Sequence, residues 1–200
     1  EIRTFVGHDH TVNDVKFSSD GLRIATGSAD KTAKVWDIKT GKEIWSSKMF
    51  NSYVTSVSFS ANGKQIAIGG YDNQVIIFDI KTSDTIKIFK VKPDRGLGYG
   101  VDTDFSADGK WFVIGEDDRT ASVYYTKNWS LIYTFKSSEG WCGGCVSYVA
   151  FSPDSQTLAK LSNRGSLEEY NLFDGTLKHL YKDNIKDLSA VAYNHDGSLL

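Results

Sequence analysis

The feature that most restricts what this chain can fold into is an aromatic residue that keeps returning at a nearly constant interval. Phe17, Phe59, Phe105, Phe151 and Tyr193 lie 42, 46, 46 and 42 residues apart, and each closes a short run in which apolar and polar residues alternate. A turn-forming tetrapeptide follows every one: Ser18 to Gly21, Ser60 to Gly63, Ser106 to Gly109, Ser152 to Ser155 and Asn194 to Gly197. The first unit shows the pattern within a period. Val12 to Phe17 is strand-like, Ser18-Ser19-Asp20-Gly21 turns, Leu22 to Gly27 runs back, Ser28-Ala29-Asp30-Lys31 turns again, and Val35-Trp36-Asp37 closes. Short alternating runs punctuated by Asp-Gly and Ser-Ala-Asp turns predict consecutive antiparallel hairpins. A helix would need apolar residues at a period of 3.6 over ten or more positions, and that pattern is missing.

Self-similarity at about 40–45 residues, with four strands in each period, is the sequence mark of a β-propeller. The fold class expected is therefore all-β, built from four-stranded antiparallel blades. Between the first two units the register runs without a gap from Val12/Val54 to Asp37/Asp79. Full blades are expected at 12–50, 54–91, 101–136 and 146–182. Residues 1–6 read as the outer strand of a preceding blade, and 188–200 as the start of a further one.

Gly7-His8, Asp30 and Trp36-Asp37, at this spacing, resemble the WD-repeat β-propellers. The resemblance is strongest over residues 1–91 and weaker towards the end. It implies a ring of about seven blades, of which this chain would supply a part. It also implies a hydrogen-bonded tetrad at His8, Thr26, Asp30 and Trp36, with a structural role. In the second unit three of those positions become Phe50, Ile68 and Phe78, while Asp72 keeps the turn. In the fourth, Lys160 and Arg164 stand where Thr26 and Asp30 stand in the first; a strand lysine needs a partner or a route to water, and Glu168 or Glu169 could provide the partner.

Several motifs invite other chemistry, and context argues against each. His8, Thr26 and Asp30 could suggest nucleophilic catalysis, which needs an exposed oxygen beside a base and room for substrate. Thr26 lies on a core-facing strand, and Trp36 would fill that room. His8-Asp9-His10 offers too few ligands, too close together, for a zinc site. Gly96-Leu97-Gly98-Tyr99-Gly100 has neither the spacing nor the following helix of a dinucleotide loop. Trp141-Cys142-Gly143-Gly144-Cys145 resembles the site of thioredoxin-like oxidoreductases, whose reactive thiol sits at a helix N-terminus. Here a strand follows at once, so a redox or metal role for Cys142/Cys145 is the alternative reading only. No enzyme activity, cofactor or metal is expected.

Composition adds exclusions. A formal net charge of −2 gives no electrostatic case for direct nucleic-acid or membrane-surface binding. No apolar run reaches the ~18 residues of a membrane span. Two cysteines, three apart, make no disulfide framework. These features predict an intracellular protein, cytoplasmic or nuclear. The function expected is a non-catalytic protein–protein interaction scaffold, a subunit or adaptor of a larger complex with proteins or peptides as partners. Its rim candidates are His10, Tyr53, Tyr71, Arg95, Tyr99, Asp117, Trp141 and Arg164, because aromatics and arginine dominate contact energetics.

Overall fold

The structure is a computed structural model, and it describes residues 3–91, 100–116, 118–136, 147–162, 166–181 and 190–197. Among the described residues, sixteen strands form four antiparallel sheets, each built from four strands consecutive in the chain. Sheet one contains β1 (Val12–Phe17), β2 (Arg23–Ser28), β3 (Ala33–Asp37) and β4 (Glu43–Ser46). Sheet two contains β5 (Val54–Phe59), β6 (Gln65–Gly70), β7 (Gln74–Asp79) and β8 (Thr85–Lys90). Sheet three contains β9 (Asp102–Phe105), β10 (Trp111–Gly115), β11 (Thr120–Tyr125) and β12 (Ser130–Lys136). Sheet four contains β13 (Ser147–Phe151), β14 (Thr157–Ser162), β15 (Leu167–Asn171) and β16 (Leu177–Tyr181). Among the described residues the sheets follow one another face to face and do not close into a ring.

The turn after each first strand is held by the same residue type. Ser18, Ser60, Ser106 and Ser152 are all buried. Each hydroxyl donates to the side chain two residues on (Asp20, Asn62, Asp108, Asp154) and accepts the backbone N–H of the residue five on. These hydrogen bonds are the physical content of the recurring tetrapeptide: the serine supplies an acceptor and the carboxylate or amide clamps the turn. Gly21, Gly63 and Gly109 take the left-handed position there, and Ser155 takes it in sheet four at φ 60°.

Three apolar layers lie between the sheets. Ala25, Val35 and Trp45 of sheet one meet Val57, Phe59, Ile66 and Ile68 of sheet two. Ala67, Val75, Ile77 and Phe89 meet Val101, Phe105, Phe112 and Ile114. Val113, Val123 and Phe135 meet Val149, Phe151, Leu158 and Leu172. A middle sheet thus buries both faces, which is why β6 is apolar at consecutive positions: Ile66 and Ile68 serve one layer, Ala67 the other. The recurring phenylalanines belong to these layers in sheets two to four, where they are 7–8% exposed. Phe17 is 68% exposed, because among the described residues no sheet packs on that face of β1. Residues 190–193 form no strand. Tyr193 therefore ends none, and its hydroxyl instead donates to Glu169 Oε1 at 2.7 Å.

The first strands of successive sheets pack side by side. Each would present unpaired backbone groups on its free edge, a liability unless something covers it. Here the preceding sheet does so. Val57 N–H donates to Asp14 Oδ2 (2.8 Å), Thr103 N–H to Ser56 Oγ (3.0 Å), and Val149 and Phe151 N–H to Asp102 Oδ2 and Asp104 Oδ2 (2.8 Å each).

Candidate interaction surface and the buried polar sites

Four side chains from the Gly7-His8 segment, β2, the β2–β3 turn and β3 meet in sheet one. Trp36 Nε1–H donates to Thr26 Oγ1 at 2.8 Å, Thr26 Oγ1 lies 2.7 Å from His8 Nε2, and His8 Nδ1 lies 2.6 Å from Asp30 Oδ2. Indole can only donate, so the Thr26 oxygen accepts and its own proton points to Nε2. That leaves Nδ1–H to donate to Asp30, so one neutral tautomer satisfies the whole chain of bonds. Burial works against ionisation of Asp30. Hydrogen bonds from Thr32, His8 and the Thr32 and Asp9 N–H groups outweigh it and hold the carboxyl below the usual aspartate range.

Thr26 is 8% and Trp36 2% exposed, so the hydroxyl at His8 Nε2 has no room next to it for a substrate carbonyl, and the Thr32 hydroxyl, 3.3 Å from Nδ1, is bonded to Asp30. Replacing Thr26 with valine keeps the shape and removes the hub. Trp36 N–H and His8 Nε2 would each lose a partner, lowering stability by about 2–3 kcal/mol. Chemical denaturation measures this; a loss within ~0.5 kcal/mol of zero would mean water replaces the hydroxyl.

The other sheets fill the equivalent space differently. Sheet two has Phe50, Ile68 and Phe78 around Asp72. Apolar exchange of every partner can be neutral, but here the carboxylate stays, and its Oδ1 is buried with no hydrogen-bond partner. Sheet four has an ionic version, in which Lys160 Nζ donates to Glu168 Oε2 at 3.0 Å and Tyr170, at the place of Trp36, donates its hydroxyl to the same oxygen at 2.8 Å.

Of the rim candidates, His10, Tyr53 and Tyr71 are described, and all three are exposed. Tyr53 and Tyr71 come together, with ring centroids 6.2 Å apart, and Tyr71 N–H donates to the Tyr53 carbonyl at 2.8 Å. His10 accepts a hydrogen bond from Thr11 N–H on its own loop, at 2.9 Å. Arg95, Tyr99, Asp117, Trp141 and Arg164 lie outside the described residues, as do Cys142 and Cys145. Among the described residues no three His, Cys, Asp or Glu side chains are grouped to hold a metal ion, and no helix is long and apolar enough to cross a membrane.

The inner seam is the site that sequence reading missed. Burial pushes Asp102 and Asp104 up to about 6, against the favourable pull of the Lys16 ammonium and the hydrogen bonds from Val149 and Phe151 N–H. Lys16 is half-buried, and burial works against its charge, yet the Asp102, Asp14 and Asp104 carboxylates raise its pKa. The available signal was the placement of Asp14, Asp102 and Asp104 within strands, where aspartate is disfavoured.

Comparison with known proteins agrees with the repeat. A model described as the WD domain, G-beta repeat, matches residues 1–37, and the anaphase-promoting complex subunit 4 WD40 domain matches residues 41–102. A guanine nucleotide-binding protein subunit beta of Arabidopsis thaliana is 51% identical over 43 residues, which is 22% of this chain and 11% of the relative. The U3 small nucleolar RNA-associated protein 15 homolog of Xenopus laevis is 47% identical over 53 residues, 26% of this chain and 10% of that protein. The matched segments thus span about a tenth of either relative's length. Two WD40 repeat models match in tandem, over residues 1–37 and 41–102, along sheets whose turns and strand order recur as described, and together with these relatives they support a WD-repeat family for this chain.

Proposed function

We propose that this chain is a non-catalytic protein-interaction platform, acting as a subunit or adaptor of a larger intracellular complex in the cytoplasm or nucleus. The observation that carries the reading is the tyrosine pair. Tyr53 and Tyr71 are 49% and 40% exposed, yet the backbone beneath them is tied by a hydrogen bond at the edge of a two-sided buried sheet. Large amphipathic rings that are held in place and still partly exposed are the residue type that anchors protein contacts. The buried network of His8, Thr26, Asp30 and Trp36 serves to fix the sheet rather than to do chemistry. Partners are proteins or peptides. Direct nucleic-acid contact has no support in a net charge of −2.

The test is affinity capture by the full-length protein with quantitative mass spectrometry. Alanine at both Tyr53 and Tyr71 is expected to weaken capture of specific partners by about tenfold or more, with the melting temperature nearly unchanged. Equal loss of folding and capture would show the rings to be packing only.

A further inference from the structure

Sheets one and two pair in identical register 42 residues apart: Thr26 opposite Lys34 corresponds to Ile68 opposite Ile76, and Trp36 opposite Glu43 to Phe78 opposite Thr85. In sheet one the space beside the tetrad is full. The Trp36 indole occupies it, Gly7 lies against that ring, and an ion pair from Lys34 Nζ to Glu43 Oε2 (2.7 Å) spans the two outer strands. In sheet two every one of those residues is replaced. Phe78 is smaller than the indole, Met49 stands for Gly7, Phe50 for His8, and Ile76 with Thr85 for the ion pair. The result is a cavity of about 230 Å³ lined by these same residues and by Asp72. That is room for roughly seven or eight waters, the size of one long side chain.

The polar content of the cavity is one-sided. Asp30 accepts four hydrogen bonds, from His8, Asp9 N–H, Thr32 N–H and Thr32 Oγ1. Its counterpart Asp72 accepts one, from Gln74 Nε2 at 3.3 Å, and its buried Oδ1 accepts none. Asn73 Oδ1, in the same turn, is also without a donor. No cation among the described residues lies within ion-pair distance of Asp72. Oδ1 is closed off beside Gly70, so the oxygen left to a ligand is Oδ2, whose one bond is long and which a charged donor would stabilise most.

We infer that this pocket, formed where the second repeat lost its tetrad, receives an arginine side chain of a partner protein. The stem packs on Met49 and Ile76 and the guanidinium reaches Asp72. Phe50 and Phe78, with ring centroids 6.4 Å apart and planes at 79°, offer a face for the planar cation. Met49 at the mouth is 73% exposed, so entry is open. Lys48 also lines the mouth and opposes a cation, which the test exploits. The inference deepens the platform reading and rests on it for the partner being a protein.

The experiment is a methyl NMR titration of the full-length protein, labelled at Met and Ile, with Nα-acetyl-arginine methylamide as probe and the norleucine and lysine analogues as controls. Saturable shifts at Met49 and Ile76 in the millimolar range are expected for so small a ligand. Asp72→Asn should weaken binding by about tenfold, and Lys48→Gln should tighten it. Ile76→Lys with Thr85→Glu, which copies the sheet-one ion pair on half-buried and exposed positions, should abolish it; melting curves confirm that each variant folds. Absence of saturable shifts, equal binding of norleucine, or indifference to Asp72→Asn would each overturn the arginine site. None of these outcomes bears on partner capture through Tyr53 and Tyr71, so the two readings fail separately.

Discussion

Replacing Lys160 with alanine lowers the free energy of unfolding by about 3–5 kcal/mol, the range for breaking one side of a buried ion pair. Lys160 is fully buried and Glu168 6% exposed, and the two stand directly opposite each other on β14 and β15. Burial lowers the Lys160 pKa despite the neighbouring carboxylate. Burial also opposes ionisation of Glu168, but Lys160 and the hydroxyls of Ser166 and Tyr170 win, and its pKa falls below the usual range. Alanine removes the ammonium and leaves a carboxylate that the surrounding hydrogen bonds keep ionised. The double variant Lys160→Met with Glu168→Leu should recover part of the loss, because no charge is then left buried, although the Ser166 and Tyr170 hydroxyls lose their acceptor. The urea midpoint of both variants gives the answer. A single-variant loss under about 1 kcal/mol would mean the charge reaches water in the folded protein, as exposed pairs do.

The same structural position is solved by a polar chain in sheet one, by apolar groups around a stranded carboxylate in sheet two and by an ion pair in sheet four. How legible each was depends on whether chemistry or geometry decides it. His8, Thr26, Asp30 and Trp36 stand at fixed spacings and have complementary donors and acceptors, so sequence alone could bring them together. For Lys160 sequence leaves Glu168 and Glu169 open. Geometry chooses Glu168, since alternate residues of β15 face opposite sides and Glu169 turns to the Tyr181 and Tyr193 hydroxyls. At Asp72 the loss of the other three tetrad residues reads as one coordinated change. Only coordinates show that one of its oxygens stays buried without a donor and that the residue borders a cavity. Phe17 and Phe59 carry the same local pattern, yet one is exposed and the other buried. What packs on a sheet face is a tertiary fact, which alternation along a strand cannot express.

Between about pH 4 and pH 7 the protein loses stability as the pH rises, through Asp102 and Asp104. Both lie on β9 and both carboxyls have a pKa of about 6 in the folded protein, against an unfolded value of 3.8. The folded state therefore holds these protons more tightly than the unfolded chain does. The stabilisation is fully present below the unfolded value and is lost as the pH climbs through about 6. At about 1.4 kcal/mol per pKa unit, either group alone accounts for about 3 kcal/mol, and the pair for less than twice that, since each carboxylate raises the other's cost of ionisation. The groups that face them are Asp14 and Lys16 on β1, Ser56 on β5 and Tyr148 on β13. Asp30 acts in the opposite sense, because its depressed pKa stabilises the fold at neutral pH and that contribution fades on acidification. The two trends together place maximum stability on the acidic side of neutrality. Urea midpoints measured across this range should fall with pH in the parent chain, and the Asp102→Asn, Asp104→Asn double variant should flatten the slope. Asparagine keeps an acceptor for the Val149 and Phe151 N–H groups and cannot titrate. A parent profile that rises over the same interval would show that Lys16 and the backbone donors outweigh burial, and that the seam is held by charge rather than in spite of it.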